Sequence, residues 1–159
     1  MNKAQKSKVV QYLHSIKRTE IAIFNLSNSI EKLETRRESP PTWMQVPGTG
    51  GGCGDSESKQ EAWVEFLDTY EARKSYLEDK LEEHRRKVVQ YNEVLIALSQ
   101  EGQIGLIASY VIRHKYYDKM APDNEIFTNI LFCSESNFYR SHRFGLQFFF
   151  EALPNVFIQ

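Results

Sequence analysis

The sequence predicts an all-α protein, in which a long antiparallel helical hairpin similar to a coiled coil precedes a C-terminal helix-turn-helix head. Between Ser58 and Gln100, apolar residues recur at alternating intervals of four and three, which is typical of a long helix packed along its length on another helix. A second heptad pattern occupies the first forty residues. After Gly102 the heptads end and apolar residues follow at closer spacing, so shorter helices are expected there.

The first helix is predicted over residues 3–37. Its apolar positions form two series with a spacing of seven, the second series three residues after the first: Val9, Ile16, Ile23 and Ile30, then Tyr12, Thr19, Leu26 and Leu33. β-Branched residues at one position and leucines at the other are compatible with two-stranded packing. Because the chain has to return, helices one and two are interpreted as an antiparallel hairpin. An ordinary globular helix is the alternative.

Residues 38–57 are predicted to form a linker that is rich in proline and glycine. The prolines end the first helix, and the glycines free the backbone. A glycine-rich loop before a helix can bind phosphate. Here no Lys-Ser/Thr pair follows the glycines, and Asp55 and Glu57 would repel a phosphate. We therefore expect a passive linker between Gly48 and Gly54, with Trp43 packed on the hairpin.

The second helix is predicted over residues 58–101, with Ser58 and Glu61 as a capping box at its start and Gly102 after its end. At 1.5 Å per residue its length would be roughly 65 Å, which suits an arm, a spacer or an oligomerisation stem. Its apolar seam, interrupted by Lys74 and His84, consists of Trp63, Leu67, Tyr70, Leu77, Leu81, Val88, Tyr91, Leu95 and Leu98.

The same seam predicts a homodimer or a higher homo-oligomer. The first helix is not expected to cover all of the large side chains along it, so a second copy of the chain would complete the packing. The candidate oligomerisation residues are Trp63, Tyr70, Leu77, Leu81, Val88, Tyr91 and Leu95.

The head, residues 102–159, is predicted to contain three further helices. They cover residues 103–119, 124–131 and 135–152. Pro122 closes the first of these, and Ser134 is the N-cap of the last. Two short helices separated by a three- to four-residue turn, the second opening in polar residues, are typical of a helix-turn-helix.

Polar side chains at the start of the fifth helix predict a surface that binds double-stranded DNA. In a helix-turn-helix the second helix places its N-terminal residues in the major groove, while its opposite face stays apolar. Phe138, Leu146 and Phe149 supply that apolar face. Hydrogen-bond donors and acceptors for the groove are supplied by Glu135, Ser136, Asn137, Tyr139 and Arg140, and the cations that could reach phosphates are Arg143, Arg113, Lys115 and Lys119. Helix capping alone would also select polar residues at this position, which is the simpler alternative.

Charge and composition limit the classes of protein to consider. With 41% apolar and 26% charged residues, the chain is expected to be folded and soluble. The formal net charge is -1, so any attraction to DNA must come from local placement or from doubling in a dimer. Cys53 and Cys133 are expected to be free thiols in a reducing cytoplasm. No apolar run approaches the ~18 residues needed to cross a bilayer.

No catalytic site, metal site or cofactor is expected. The four histidines lie on separate predicted helices without an i, i+4 ligand partner, and Cys133 with His142 lacks a recognised zinc spacing. The acidic residues from Glu78 to Glu83 are followed by the basic residues 85–87, which indicates a solvated helix face.

The order of these parts resembles the RinA/ArpU-type regulators. The residues that carry the resemblance are Pro41-Thr42-Trp43, the glycines through Gly54, Ser58 with Glu61, and the run from Ser134 to Arg143. The resemblance implies a phage or prophage activator of late genes, with a sigma-factor-like helix-turn-helix, acting in the cytoplasm of a Gram-positive host. Host RNA polymerase is then a candidate partner. On this match Ser136, Asn137, Tyr139 and Arg140 would read bases and Arg143 would contact the backbone.

The chain departs from this family at the turn and at the C-terminus. Phe132 stands in the turn where family members usually have glycine or another small residue, and Thr128 stands in the scaffold helix where they have an alanine-like residue. Residues 144–159 contain no lysine or arginine and five phenylalanines, which predicts a role in packing or in a protein interface. The alternative function is therefore a non-enzymatic coiled-coil assembly or adaptor protein with a helical docking head.

Overall fold

The computed structural model describes residues 1–42, 55–118 and 121–157. Every regular element in these ranges is a helix, which confirms the all-α class. The α-helices are α1 (Lys3–Glu38), α2 (Asp55–Ser99), α3 (Gly102–Ile112), α4 (Asp123–Glu125), α5 (Glu135–Ala152) and α6 (Pro154–Phe157). Two π-helical segments, Arg113–Asp118 and Ile126–Ile130, follow α3 and α4 respectively.

Most helix boundaries lie close to the predicted ones, but the capping box of α2 is wrong. The helix begins at Asp55, three residues before Ser58, so Ser58 is inside the first turn and does not cap it. The prediction for Trp43 and for the linker from Gly48 to Gly54 concerns positions outside the described residues.

The chain divides into two compact units: Met1–Glu20 together with Arg86–Gln159, and Ile21–Arg85. We call the first the head unit and the second the arm unit. Both divisions fall inside a long helix, whereas the sequence pattern places divisions at helix ends. The reason is that the first half of α1 and the end of α2 contribute side chains to the same core as the C-terminal helices.

The main core of the head unit is assembled from five helices and the π-helical segment after α3. Its buried members are Val9, Tyr12, Leu13, Ile16, Tyr91, Val94, Leu98, Ala108, Ile112, Tyr116, Leu146, Phe149 and Phe157. Phe144, Phe148 and Phe150 are half-buried and pack against this cluster. Packing is therefore the observed role of the phenylalanine-rich C-terminal segment.

A second, smaller core lies between α3 and the start of α5. Val111, Ile126 and Phe138 are each 0% exposed and form its centre. Half-buried side chains that include Ile107 and Phe127 surround them. This cluster is the one that holds the N-terminal end of α5.

The arm unit is held by an aromatic cluster and by ion pairs between α1 and α2. Trp63, Phe66 and Tyr70 are buried next to Leu33. The Lys74 ammonium, which interrupts the seam in the sequence, lies 2.7 Å from a carboxylate oxygen of Glu34.

Arginine side chains of α1 cover the same aromatic cluster from one side. The Arg36 guanidinium lies 4.2 Å from the ring centre of Phe66. Arg37 lies 4.5 Å from the ring centre of Tyr70 and donates to Glu71 at 2.9 Å. Cations over aromatic faces are attracted by the ring quadrupole, so these arginines contribute packing as well as charge.

The buried stripe of α2 differs from the predicted seam at two positions. Leu67 is 42% exposed, and its neighbour Phe66 is buried instead. Near the other end Val94 is buried, whereas Leu95 is half-buried. An α-helix has 3.6 residues per turn, so residues at one heptad position rotate about the helix axis by ~20° per repeat. After several repeats a neighbouring residue therefore faces the partner helix.

The oligomer was expected because the first helix would leave large side chains of the α2 seam uncovered, and this premise is wrong. Trp63, Tyr70, Leu81 and Tyr91 are 6%, 3%, 8% and 2% exposed in the single chain, so no second copy is needed to cover them. Leu77, Val88 and Leu95 are half-buried.

None of the helices in the described ranges combines the length and the apolarity that crossing a membrane requires.

Candidate nucleic-acid interface

The start of α5 is fixed by a capping interaction that the sequence predicts. Ser134 has an extended backbone, with φ -68° and ψ 150°, and its side-chain oxygen accepts a hydrogen bond from the Asn137 amide at 3.3 Å. The Phe138 amide donates to the Ser134 carbonyl at 2.9 Å. The first bond satisfies an amide that a helix start leaves without an intrahelical partner, and the second is the first backbone bond of the helix, so α5 begins at Glu135 as predicted.

The rotation of α5 about its axis is set by Phe138. This ring is 0% exposed, and its centre lies 5.6 Å from that of Phe127 and 6.2 Å from that of His142. In a helix each residue turns by about 100°, so Arg140 and Ser136, each two positions away, lie roughly opposite the buried ring. The polar stripe of α5 therefore faces solvent because Phe138 faces the core.

All five candidates on α5 are exposed, namely Ser136, Asn137, Tyr139, Arg140 and Arg143. Residues three and four apart on a helix are neighbours on its surface. Ser136, Arg140 and Arg143 therefore form one stripe, with Asn137 and Tyr139 on its two sides. The structure presents this set as one continuous polar surface over the first half of α5.

Close packing between α3 and α5 keeps that surface in place. At Gly145, a Cβ atom would lie 3.0 Å from Cγ1 of Ile112 and 3.4 Å from Cβ of Ala108. A larger residue would have to displace these side chains, because the space is already at the limit of ordinary contact. Gly145 thus lets the two helix backbones approach each other two residues after Arg143, the last residue of the polar stripe.

A surface groove of about 190 Å³ lies between α3 and the same part of α5. It is lined by Gln103, Ile104, Ile107, Asn137, Arg140 and Ser141. Sites for drug-sized ligands have volumes of ≈ 300–1,000 Å³, so this groove is too small to be a pocket of that kind. Gln103, which the sequence does not single out, shares the groove with Asn137 and Arg140. The only sequence feature that could have indicated Gln103 is its position directly after the helix breaker Gly102.

The two described phosphate-contact candidates outside α5 form ion pairs within the chain. Arg113 Nε lies 3.0 Å from Oδ2 of Asp118, although the arginine side chain is 55% exposed. Lys115 forms an ion pair with Asp123, and its side chain is 24% exposed. Lys119 lies outside the described residues. Both described cations therefore already have an intramolecular carboxylate partner.

Asp123 connects Lys115 to the start of α5. Burial raises the pKa of the Tyr139 hydroxyl above its ordinary value, and the negative charge of Asp123 raises this pKa further. The Asp123 carboxylate thus lies near both the Lys115 ammonium and the Tyr139 hydroxyl. Lys115 therefore lies close to the polar surface of α5, with its positive charge paired to the Asp123 carboxylate.

His142 belongs to the same run of sequence but lies in the interior. Its Nε2 is 2.8 Å from the Tyr116 hydroxyl, and the imidazole is 7% exposed. Burial, together with the positive charge of Lys115, lowers the pKa of His142 to about 4. The imidazole is therefore neutral at neutral pH and can accept a hydrogen bond from Tyr116, which is a structural role.

In the described part of the chain, no group of three or more His, Cys, Asp or Glu side chains is arranged to hold a metal ion. Comparison with protein-family models, with curated proteins and with solved structures finds no match to this chain.

Proposed function

We propose that this protein is a DNA-binding transcriptional regulator that reads double-stranded DNA with the first half of α5. One observation carries the proposal: Phe138 is fully buried, whereas Ser136, Asn137, Tyr139, Arg140 and Arg143 on the other side are exposed. A recognition helix needs this division, because its polar side chains must reach base edges in the major groove while its apolar side holds it to the domain.

The helix-turn-helix consists of the segment Asp123–Ile130, the turn 131–134 and α5. The Leu131 amide donates to the Ile126 carbonyl at 2.8 Å, and the Cys133 amide donates to the Phe127 carbonyl at 3.0 Å. These bonds close the first helix of the motif, and Ser134 then caps the second. A short, hydrogen-bonded turn of this kind favours a fixed angle between the two helices.

α1 and α2 form the antiparallel hairpin of the proposed architecture. In the arm unit, Glu34 pairs with Lys74 and Arg37 pairs with Glu71. A later residue of α1 thus meets an earlier residue of α2, as antiparallel helices require. In the head unit the Tyr12 hydroxyl donates to the Lys87 carbonyl at 3.4 Å, which is consistent with the same direction.

The resemblance to the RinA/ArpU-type regulators implies the particular role, which is activation of phage or prophage late genes in the cytoplasm of a bacterial host. One detail of the turn supports the match. Phe132 has φ 49°, a left-handed conformation that glycine adopts most readily. This is the position at which the family usually has glycine or another small residue. Host RNA polymerase is a candidate protein partner under this proposal.

A homodimer is a separate part of the proposal, because helix-turn-helix proteins commonly bind two half-sites as dimers. The seam of α2 is occupied within the chain, so a second copy would have to contact other side chains. Large apolar side chains remain exposed in the arm unit, among them Ile21, Phe24 and Val64 at 57%, 66% and 55%. A monomeric mass in light scattering at micromolar concentration, with and without DNA, would count against a dimer.

An adaptor protein with a helical docking head is the second candidate function. The specific observation in its favour is that Arg113 and Lys115 are paired with carboxylates of their own chain. Pairing of this kind weakens the positive potential that attracts DNA phosphates. Arg140 and Arg143 are then the main cations of the proposed surface.

Selection of binding sites from a random duplex library, with the full-length protein at low salt, tests DNA binding. We expect one sequence motif to be enriched, with affinity falling modestly with salt because few phosphates are neutralised per subunit. The double variant Asn137→Ala, Arg140→Ala should lose the motif. Arg85→Ala, which removes one exposed arginine of the arm unit, is the matched control and should retain it. No enrichment by the folded protein would favour the adaptor function.

A further inference from the structure

Phe132, in the turn before α5, combines two features that are unusual for a large apolar residue. Its side chain is 84% exposed, which leaves a large apolar ring in water. Its φ of 49° lies in the left-handed region, where a bulky side chain crowds its own backbone. A strained conformation is retained when the surrounding structure imposes it, and such residues concentrate at functional sites.

The surrounding backbone holds Phe132 on both sides. The Leu131 amide donates to Ile126 and the Cys133 amide donates to Phe127. Ser134 then caps α5, and Cys133 packs against the core formed by Val111, Ile126 and Phe138. The ring therefore stands at a position that the turn defines, in contrast to an aromatic residue at the end of a free loop.

That position adjoins the proposed recognition surface. α5 begins three residues later, at Glu135, and its exposed first turn includes Ser136 and Asn137. One residue spans at most ~3.6 Å, so Phe132 and Ser136 are at most ~14 Å apart. A double helix that contacts the first turn of α5 would thus come within reach of the phenyl ring.

We infer that Phe132 is a specificity-determining residue that contacts the C5-methyl group of a thymine in the major groove. This inference rests on the proposed function. In that groove the base edges present hydrogen-bond donors and acceptors, and the thymine methyl is the apolar group that a phenyl ring can contact. Because the hydrogen-bonded turn already fixes the backbone of Phe132, little backbone entropy is lost when the ring meets the methyl group.

The test replaces thymine by deoxyuridine, one position at a time, in the motif enriched by the full-length protein. The replacement removes only the C5-methyl group. We expect one position per half-site at which deoxyuridine weakens binding of the wild-type protein about three- to fivefold, which corresponds to one buried methyl group. Phe132→Ala should bind the thymine duplex three- to fivefold more weakly and should lose sensitivity at that position alone. Ile96→Ala, which removes an exposed apolar side chain from α2, should retain the wild-type profile.

Because deoxyuridine alters the duplex equally for every variant, the difference between two profiles isolates the protein contact. Identical profiles for wild type and Phe132→Ala would overturn this inference while leaving the proposed function intact. Failure of the wild-type protein to enrich any motif would overturn the proposed function and this inference together.

Discussion

The Tyr116 hydroxyl and Nε2 of His142 lie 2.8 Å apart in the interior of the head unit, and they join the π-helical segment after α3 to α5. The His14 ring contacts Tyr116 from α1, with ring centres 4.9 Å apart. Lys115, Asp123 and Lys6 are the charged groups that act on His142. Since a charged imidazole in this site would face a net positive environment with little water, the neutral form is favoured.

We therefore predict that stability falls as pH falls from about 6.5 to about 4. The folded-state pKa of His142 is lowered to about 4 from an ordinary value of 6.5. In this interval the unfolded chain binds a proton that the folded chain does not, so the free energy of unfolding decreases, by at most about 3 kcal/mol. Below the folded-state pKa both states are protonated and the effect levels off. Urea unfolding at several pH values measures it.

His142→Gln is the control for this prediction. The amide retains an acceptor for the Tyr116 hydroxyl but does not titrate. The difference in unfolding free energy between wild type and variant should change across pH 6.5 to 4, because all other titrating groups are common to both proteins. A difference that stays constant over this interval would contradict the assignment.

The strain at Phe132 predicts an unusual stabilising substitution. A non-glycine residue in the left-handed region costs roughly 1–2 kcal/mol, and glycine recovers this at the expense of ~0.4–1 kcal/mol of unfolded-state entropy. Phe132→Gly should therefore raise the free energy of unfolding by up to about 1 kcal/mol, measured by chemical denaturation. Phe132→Ala removes the same exposed ring but keeps the Cβ atom, so it should change stability by less than ~0.5 kcal/mol. Equal effects of the two substitutions would rule out backbone strain as the cause.

The positions of the long helices and the start of α5 are predictable from the sequence, because heptad spacing and capping residues are local signals. The heptads indicate α1 and α2, and Ser134 indicates the start of α5. The sequence does not show which partner each apolar residue contacts. Val9 and Ile16 have the same spacing as Ile23 and Ile30, yet only the first pair joins the core of the head unit. A seam residue must be apolar whichever surface covers it. The pattern alone therefore cannot show which part of α1 belongs to the head unit and which to the arm unit.

Ion pairs between residues of different helices could not be predicted from the sequence either. Lys115 and Asp123 are eight residues apart and belong to different helical segments, so no local sequence pattern indicates their ion pair. The exposed face of α5 was predictable because Phe138 is part of a local 3.6-residue pattern. Residues such as Gln103 enter the same groove only through the packing of α3 on α5.

Burial of the α2 seam within one chain predicts that its aromatic residues stabilise the monomer. Trp63 is 6% exposed, and its ring centre lies 5.2 Å from that of Phe66. Trp63→Ala should lower the free energy of unfolding by about 3–5 kcal/mol. Because the contact is intramolecular, the loss should not depend on protein concentration.

Val64→Ala, at the adjacent and 55% exposed position, is the matched control and should have a small effect. Thermal unfolding over a hundredfold range of protein concentration makes the comparison. A loss for Trp63→Ala that grows on dilution would instead place Trp63 at an interface between copies.

Phe138 and Arg140 lie two positions apart on α5. Substitution of Phe138 should affect stability, whereas substitution of Arg140 should affect DNA binding. Phe138 is 0% exposed, whereas Arg140 is exposed. Phe138→Ala should lower the free energy of unfolding by about 3–5 kcal/mol, because it leaves a cavity in the smaller core of the head unit. Arg140→Ala should change stability by less than ~0.5 kcal/mol but weaken specific DNA binding by about 1–3 kcal/mol if the guanidinium contacts a guanine in bidentate fashion. Calorimetric unfolding and DNA titration of both variants separate the two effects. If the folded Arg140→Ala protein bound the enriched motif as tightly as wild type, α5 would lose its place as the recognition helix.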